Sequence, residues 1–489
     1  MTPVFSDIRS ISTVAWRTAL EQIRDFRLIA FGIGAAAVMT VGTFLNIADY
    51  SKRMDERARI ATAARRENTL EAVALVRTPP RFLFMSEGDE RSVPNVLVAV
   101  PGYLDVPHQS SAATDLVPRG FALDWSFVVA YLCGLAVLLS TYDLTSRQRE
   151  NGTLRVVLSY PVRRWSILAG EYCGALCAAV PFIVLAIASG LLIVLGSGRI
   201  DWTLSDSIRC LAFAGLSLAY LSFIAAFGIL ISVLFRSRTT SLLVAILGWI
   251  VAGVVVPALA QPLAHAIAPA PTQREHALRL EAAQRRYGSG IRVSSLMLQP
   301  VERSSGLTEA AKAALLNRIQ ADLVAQHEQL VNAYKKELQA IRLDYLRKVA
   351  RESAVATRIA GFSPVVLYTS LAADVAGAGA ENQTAFYRAA SEFLRPYTEA
   401  AIALRQRFRS AAHVTGPWVE DGTYKLQGVA WVSYDDVTFD RRLMPSFPGY
   451  HVPALLAVQA AVSGAIAFVA LDLILLLLAA RRFNRYVFD

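Results

Sequence analysis

Uninterrupted apolar runs recur at six places along the chain: residues 28–48, 125–142, 168–196, 208–235, 241–263 and 452–480. About 20 apolar residues in a helix cross a hydrocarbon core of ~30 Å, so each run predicts a membrane span. The first run is too long, and its leader too extended, for the short core of a secretory signal. Between the spans the pattern switches to charged and polar residues. The basic short segments all fall on one side if the six helices alternate in direction. Those segments carry Arg9, Arg17, Arg24 and Arg27; Arg147, Arg149, Arg155, Arg163 and Arg164; Arg236 and Arg238; and Arg481, Arg482 and Arg485. The opposite short connection, 197–207, sets Arg199 against Asp201 and Asp206. Lys and Arg mark cytoplasmic loops, so both termini are expected in the cytoplasm. Residues 1–27 then form a cytoplasmic lead-in, 143–167 a cytoplasmic loop and 481–489 a cytoplasmic tail.

Two long polar segments, 49–124 and 264–451, are expected on the far side, where length lets them cross regardless of charge. The first opens with a charged stretch, 50–77, that reads as helical, and then turns rich in Pro and Gly. It is expected to pack against the second. In the second, Thr272 and Glu275 have the spacing of a capping box, after Pro271 and with Gly288 closing the helix. A further helix is expected from Thr308. Its stripe runs through Leu316, Ile319, Leu323, Leu330, Tyr334, Leu338, Ile341, Tyr345 and Val349, over about 45 residues at helical spacing, which predicts a rod or hairpin arm. Ser363-Pro364 can cap and open another helix, and 381–412 one more, kinked at Pro396. Residues 416–450 read as irregular with short strands; Asp435, Asp436 and Asp440 lie among its aromatics as a solvated turn. The fold class is thus an all-α polytopic membrane protein with six transmembrane helices. Its extracytoplasmic domain is mostly helical with a small irregular or β portion.

Composition sharpens this picture in two ways. The chain of 489 residues is 54% hydrophobic with net charge +10. Clustering of Arg at span ends assigns that charge to membrane flanks and not to a nucleic-acid surface. The four cysteines, Cys133, Cys173, Cys177 and Cys210, lie in or beside apolar runs and read as packing residues, with no disulfide framework in the polar segments. No Gly-Lys pair occurs, so no phosphate-cradling P-loop exists, and no H-E-x-x-H zinc helix is present. The histidines are scattered, with His265 and His276 the nearest candidates for one another.

The most informative stretch follows the second span. A polar helix runs off that span and stops at Gly152, a good C-terminal residue. A short amphipathic piece follows, and Pro161 is expected to start the helix of the third span. The run Glu150-Asn151-Gly152-Thr153-Leu154, then Leu158-Ser159-Tyr160-Pro161-Val162-Arg163-Arg164, then Ile167-Leu168-Ala169-Gly170-Glu171, resembles the signature of ABC type-2 exporter permeases. In that family it forms the intracellular loop with the coupling helix that docks into the ATPase. The resemblance implies ATPase-contacting or loop-shaping roles for Glu150, Gly152, Thr153, Arg155, Pro161, Arg163 and Arg164. It extends to all six spans and to an N-terminal amphipathic connecting helix. Here Ile8, Ile11, Ala15, Ala19, Ile23 and Phe26 form one face, and Arg9, Thr13, Arg17, Glu21 and Arg24 the other, as an interfacial helix requires. The departure is the domain inserted between the fifth and sixth spans, which resembles a subgroup with long external insertions.

By this resemblance the chain is the permease subunit of an exporter in a bacterial inner membrane. It would pair with a second permease chain, identical or paralogous, and with a dimer of ABC ATPase subunits that hold ATP and Mg. No cofactor is expected on this chain and no catalytic residue of its own; a periplasmic partner for the ectodomain is an option. An ABC assembly that does mechanical work on periplasmic partners is the alternative, followed by a membrane sensor. The cytoplasmic segments are too short for a signalling module. A membrane-embedded enzyme would need convergent groups at depth, and apart from Asp472, inside the sixth span, the spans offer few. An ionisable residue there is costly and marks a candidate transport-path or packing position.

Overall fold

Among the described residues of the computed structural model, six helices have the length and apolarity to cross a membrane: Phe26–Ile60, Trp125–Glu150, Arg164–Gly196, Leu204–Leu234, Arg238–Ile267 and Ala454–Asn484. The structure describes residues 3–67, 73–88, 90, 96–105, 123–160, 162–200, 202–297, 309–407, 413–415, 419–420, 423–424, 431–433, 444–450 and 454–485. In chain order, α1 is Pro3–Ile23 and α2 is Phe26–Glu67. Strands β1 (Val73–Val76), β2 (Val96–Val100) and β3 (Tyr103–Asp105) follow. The next spans are α3 (Trp125–Glu150), α5 (Arg164–Gly196), α6 (Leu204–Leu234) and α7 (Arg238–Ile267), with the short α4 (Thr153–Ser159) between the first two of these. Beyond them come α8 (Gln273–Met297), α9 (Glu309–Ala360), α10 (Pro364–Ala376) and α11 (Ala380–Arg407). Short strands β4 (His413–Thr415), β5 (Val419–Glu420), β6 (Thr423–Tyr424) and β7 (Trp431–Ser433) precede the last span, α12 (Ala454–Asn484). The chain is therefore an all-α polytopic membrane protein with a small β portion.

The spans bury very different shares of themselves. The apolar window of α6 is 78% buried and that of α3 67%, whereas α7 buries 11%. The two innermost helices share a core with α10, which is too short to span and enters the bundle from the end that carries the large inserted domain. Its Tyr368 is fully buried, stacks on Tyr220 of α6 at 4.6 Å and shares a 2.8 Å hydrogen bond with Ser217. Ser363 caps α10 by accepting the Val366 amide at 3.2 Å, as its sequence implies. Trp125, at the start of α3, is also fully buried and donates its indole N–H to Thr43 at 2.7 Å.

At the same end, residues 82–87 lie buried over the bundle. Arg53 bridges Asp49 at 2.8 Å and Glu87 at 2.9 Å, and Arg77 pairs with Glu90 in full burial. Asp124 caps α3, accepting the amides of Phe127 at 2.7 Å and Glu87 at 2.8 Å. Burial, with the Glu87 carboxylate adding to it, pushes the Asp124 carboxyl up to about 6. The antiparallel sheet β1-β2-β3 packs Leu75, Leu97 and Ala99 against Phe386, Phe393 and Tyr397 of α11. The two long polar segments thus share a core, as expected.

Helices α8 and α9 form an antiparallel hairpin: Ala283 packs by Tyr334, His276 stacks on Tyr345 at 4.1 Å, and Arg286 reaches Glu337 at 2.9 Å. The 52 residues of α9 would extend about 78 Å at the helical rise. The capping box is present in both directions, Thr272 N–H to Glu275 at 3.1 Å and Glu275 N–H to the Thr272 hydroxyl at 3.2 Å.

Several local expectations are corrected. The charged helix after the first span ends at Glu67, and Val73–Val76 is a strand, because the β-branched valines find an antiparallel partner in β2. Helix α8 runs through Gly288 to Met297, held by packing on α9. The third-span helix starts at Arg164, with Arg163 extended before it, and Pro161 lies outside the described residues. Of the cysteines only Cys133 is buried; Cys177 is exposed on the outer face of α5. His265 and His276 take separate partners, Glu352 and Tyr345. Asp435, Asp436 and Asp440 lie outside the described residues.

Candidate functional site

The loop between the second and third spans is built from its polar residues inward. The last stretch of α3, Leu144–Glu150, follows a break at Tyr142-Asp143. Its first amides, Thr145 and Ser146, donate to the Ser232 hydroxyl of α6 at 2.8 and 3.1 Å, which satisfies donors that a helix start leaves open. Gly152 then adopts φ +70°, a left-handed turn that a side chain resists. That turn folds α4 back under the bundle. Leu154 is 1% exposed and joins Leu144, Leu168, Ile229, Val233 and Phe483 in a small apolar core.

The charged residues of the loop divide into two sets. One set ties helix ends together. Arg149 donates to the Val233 carbonyl at 2.9 Å, at the C-terminus of α6. Arg164 donates to the Asn484 carbonyl at 3.0 Å, at the C-terminus of α12. A guanidinium at a helix C-terminus meets both the open carbonyls and the negative end of the dipole. Glu150 does the converse at the start of α7, accepting the Arg238 amide at 2.8 Å, while the Arg238 side chain reaches Asp143 at 3.0 Å. The Thr153 hydroxyl donates to the Gln148 carbonyl at 3.3 Å and steadies the turn. The second set faces outward. Arg155 and Arg163 are exposed beside Val156 (60% exposed), Tyr160 (64%) and Trp165 (43%), a mixed basic and apolar ledge.

Two buried carboxylates lie above this loop. Glu171, 2% exposed, accepts Gln148 Nε2 at 2.7 Å and the Thr145 hydroxyl at 3.2 Å, and so fastens the end of α3 to α5. Its neighbour Tyr172 points the other way and donates to Asp472 of α12. Asp472 also accepts the Ser222 hydroxyl of α6 at 2.5 Å. Asp472 therefore pins α5, α6 and α12 together at 5% exposure, and its Oδ1 has no hydrogen-bond partner among the described residues. Adjacent residues of α5 thus connect the loop to three spans.

Helix α1 completes the assembly. It lies along α5 where glycines permit contact: a Cβ at Gly170 would meet Val14 at 2.6 Å, and one at Gly174 the Ala15 carbonyl at 2.5 Å. The face against α5 includes Val14, Ala15, Thr18 and Ala19, whereas Ile8, Trp16 and Ile23 are exposed on an outward apolar edge.

The sequence pattern marked Glu150, Gly152, Thr153, Arg155, Arg163, Arg164 and Asp472, and all but Asp472 sit in the loop. It did not mark Glu171, Asp143, Ser232 or Arg149 as joints. Glu171 closed the motif, and a carboxylate within an apolar run was the available signal. The partners of the others come from distant segments.

Together the bundle, the helix-tying loop and the inserted domain define a multi-pass membrane protein in which one loop grips the ends of the neighbouring spans. A family model for ABC-2 family transporter proteins matches residues 13–486. The chain belongs to that family of transporter membrane proteins. No curated protein matches the sequence.

Proposed function

We propose that this chain is the membrane half of an exporter driven by a separate ATPase, which docks on the ledge formed by Arg155, Val156, Tyr160, Arg163 and Trp165. The observation that carries the reading is the division of labour within the loop. One side is tied to α5, α6, α7 and α12, and the other is an exposed basic and aromatic surface. Exposed aromatics and Arg at the centre of a patch suit a protein partner. A push on the ledge would reach four spans through hydrogen-bonded joints. Basic residues on the short loops favour a cytoplasmic position for the ledge and for both termini, in a bacterial inner membrane. ATP and Mg would belong to the ATPase dimer. A second permease chain, identical or paralogous, would complete the pathway, and the sparsely buried face of α7 (Leu243, Leu247, Val254) is available for it or for lipid.

The test is affinity purification of the full chain from a host that also carries its neighbouring genes. An ABC ATPase should co-purify, and Arg163→Glu should lower its recovery about tenfold, because it sets a carboxylate where the ledge presents a cation. Normal recovery would remove Arg163 from the docking surface. Asp472→Asn tests the transport path: it keeps the Tyr172 and Ser222 contacts in shape, so unchanged transport would leave Asp472 a packing residue.

A second reading is favoured by one joint. Glu352 at the base of α9 accepts Gln261 at 3.0 Å and the Ala270 amide at 2.9 Å, with His265 at 3.3 Å. The hairpin is thereby fastened to α7, whose other end touches Glu150. A displaced fifth span would swing the arm, as in an assembly that works on external partners without moving cargo. Reconstituted transport of a candidate substrate separates the two readings.

A further inference from the structure

A cavity of about 360 Å³ lies at the end of the bundle opposite the loop, between α10, the start of α11 and α12. Sites for small organic molecules reach this size, and a single metal ion does not need it. Two carboxylates line it: Asp374 near the end of α10 and Glu381 in the first turn of α11. Gly377, at φ +75°, closes α10, and a Cβ at Gly379 would overlap the Asp374 carboxylate. Neither carboxylate is hydrogen-bonded or ion-paired to another described residue. Burial, and then the like charge of Glu381, pushes the Asp374 carboxyl up to about 6. No Lys or Arg lines the cavity among the described residues. The guanidinium at this end of α10, that of Arg209, donates to the Val375 carbonyl at 3.0 Å and lies over the Phe82 ring.

The rest of the wall is split between polar Gln459 and Ser463 and apolar Leu371, Leu456 and Ala460. Leu456, Gln459, Ser463 and Ile466 follow one another at spacings of three and four, so they share one face of α12. Gln459, Ser463 and Ile466 are exposed there. At the helical rise, Ser463 and Leu456 stand about 27 and 37 Å along α12 from Arg481. Those positions bracket the ~30 Å thickness of a hydrocarbon core. The cavity therefore sits at the membrane boundary, with an apolar helix face leading inward from it.

We propose that this cavity binds an amphiphile that carries an ammonium group and no phosphate. The ammonium meets Asp374 and Glu381, with the oxygens of Gln459 and Ser463 as further acceptors. The apolar body lies on Leu371, Leu456 and Ala460 and continues past Ile466 into hydrocarbon. A phosphate would stand beside two carboxylates with no lining cation to receive it, which disfavours a phospholipid headgroup. A divalent cation would leave the apolar wall and most of the volume unused. The inference rests on the membrane-spanning fold and is independent of ATPase docking.

The experiment is scintillation proximity binding of radiolabelled dodecylammonium to the purified full chain in nonionic detergent. Unlabelled dodecanol, methylammonium, phosphatidylethanolamine and calcium chloride serve as competitors. The wild type should bind the label saturably, and none of the four should displace it at the concentration where unlabelled dodecylammonium does. Asp374→Asn should weaken binding about tenfold, the scale of one charge-assisted contact, while circular dichroism stays that of the wild type. Should Asp374→Asn fail to fold, Glu381→Gln, at an exposed position, carries the same comparison and should weaken binding about threefold. No saturable binding by the wild type would overturn the proposal. Equal displacement by dodecanol would remove the ammonium from it, and equal displacement by methylammonium would remove the apolar body. Displacement by phosphatidylethanolamine would overturn the phosphate-free class, and displacement by calcium would leave a metal site instead. Folded Asp374→Asn and Glu381→Gln proteins that keep full affinity would overturn the assignment of the site.

Discussion

The loop between the second and third spans and the α8/α9 hairpin are both rich in charge, yet they use it in opposite ways. In the loop, Arg149, Arg164 and Glu150 each meet a backbone group at the end of a different span. In the hairpin, Arg279–Asp344 and Arg285–Glu281 are surface pairs with both side chains about half exposed or more, an arrangement that contributes little. The loop's charge fixes the position of neighbouring helices, whereas the hairpin's charge keeps a long rod solvated. The hairpin is fastened to α7 through the buried Glu352, and Gln339 also donates to the Gly102 carbonyl at 3.5 Å.

That contrast breaks most directly through paired substitutions. Leu154→Asp places an unpaired carboxylate in the small core beneath the loop, so it should cost about 3–5 kcal/mol and abolish ATPase recovery. Leu343→Asp, on an exposed position of the hairpin, should change stability by under ~0.5 kcal/mol. Thermal unfolding of the detergent-solubilised variants reads both, and equal losses would refute the contrast. Next in size is Glu352→Leu. It strands the Gln261 side chain and the Ala270 amide and should cost about 1–3 kcal/mol. Spin-label distances between α7 and α9 should broaden, while Arg286→Ala leaves them sharp.

The smallest effect concerns pH at the end of the bundle that carries the inserted domain. Asp124 is raised to about 6 in the folded protein, against ~3.9 in an unfolded chain. A carboxyl with a raised folded pKa favours folding most below its unfolded value, and that contribution is lost as pH rises through about 6. Between pH 5 and pH 7.5 stability should therefore fall by on the order of 1 kcal/mol. In Asp124→Asn this component of the pH dependence should vanish, and its persistence would assign the titration to another group.

Much of this architecture was legible because it follows from local rules. Six apolar runs became six long helices, and the Thr272–Glu275 box and the Ser363 cap formed as written. The hairpin stripe packed at Leu330, Tyr334, Leu338 and Ile341. Non-local pairing was not legible. Val73–Val76 became a strand only because Val96–Val100 lies beside it. The connecting helix was expected to carry Ile8 and Ile23 on an apolar interfacial face, and both lie on an exposed outward edge. Its side against the protein, set by Gly170 and Gly174 of α5, was not legible. Within the loop, the motif marked Arg164 and Glu150 but could not separate residues that tie helix ends from residues that face outward. That division depends on carbonyls of Val233 and Asn484, far away in the chain.

The central claim is that the ledge faces the cytoplasm and meets an ATPase there. A single thiol decides it: Val156→Cys in a background with Cys133, Cys173, Cys177 and Cys210 all replaced by Ser, labelled in intact cells with a membrane-impermeant maleimide and again after permeabilisation. The account expects labelling only after permeabilisation, and protection of the thiol when the co-expressed ATPase is present. Full labelling in intact cells would contradict it, because no ATP-driven subunit could reach the ledge from outside.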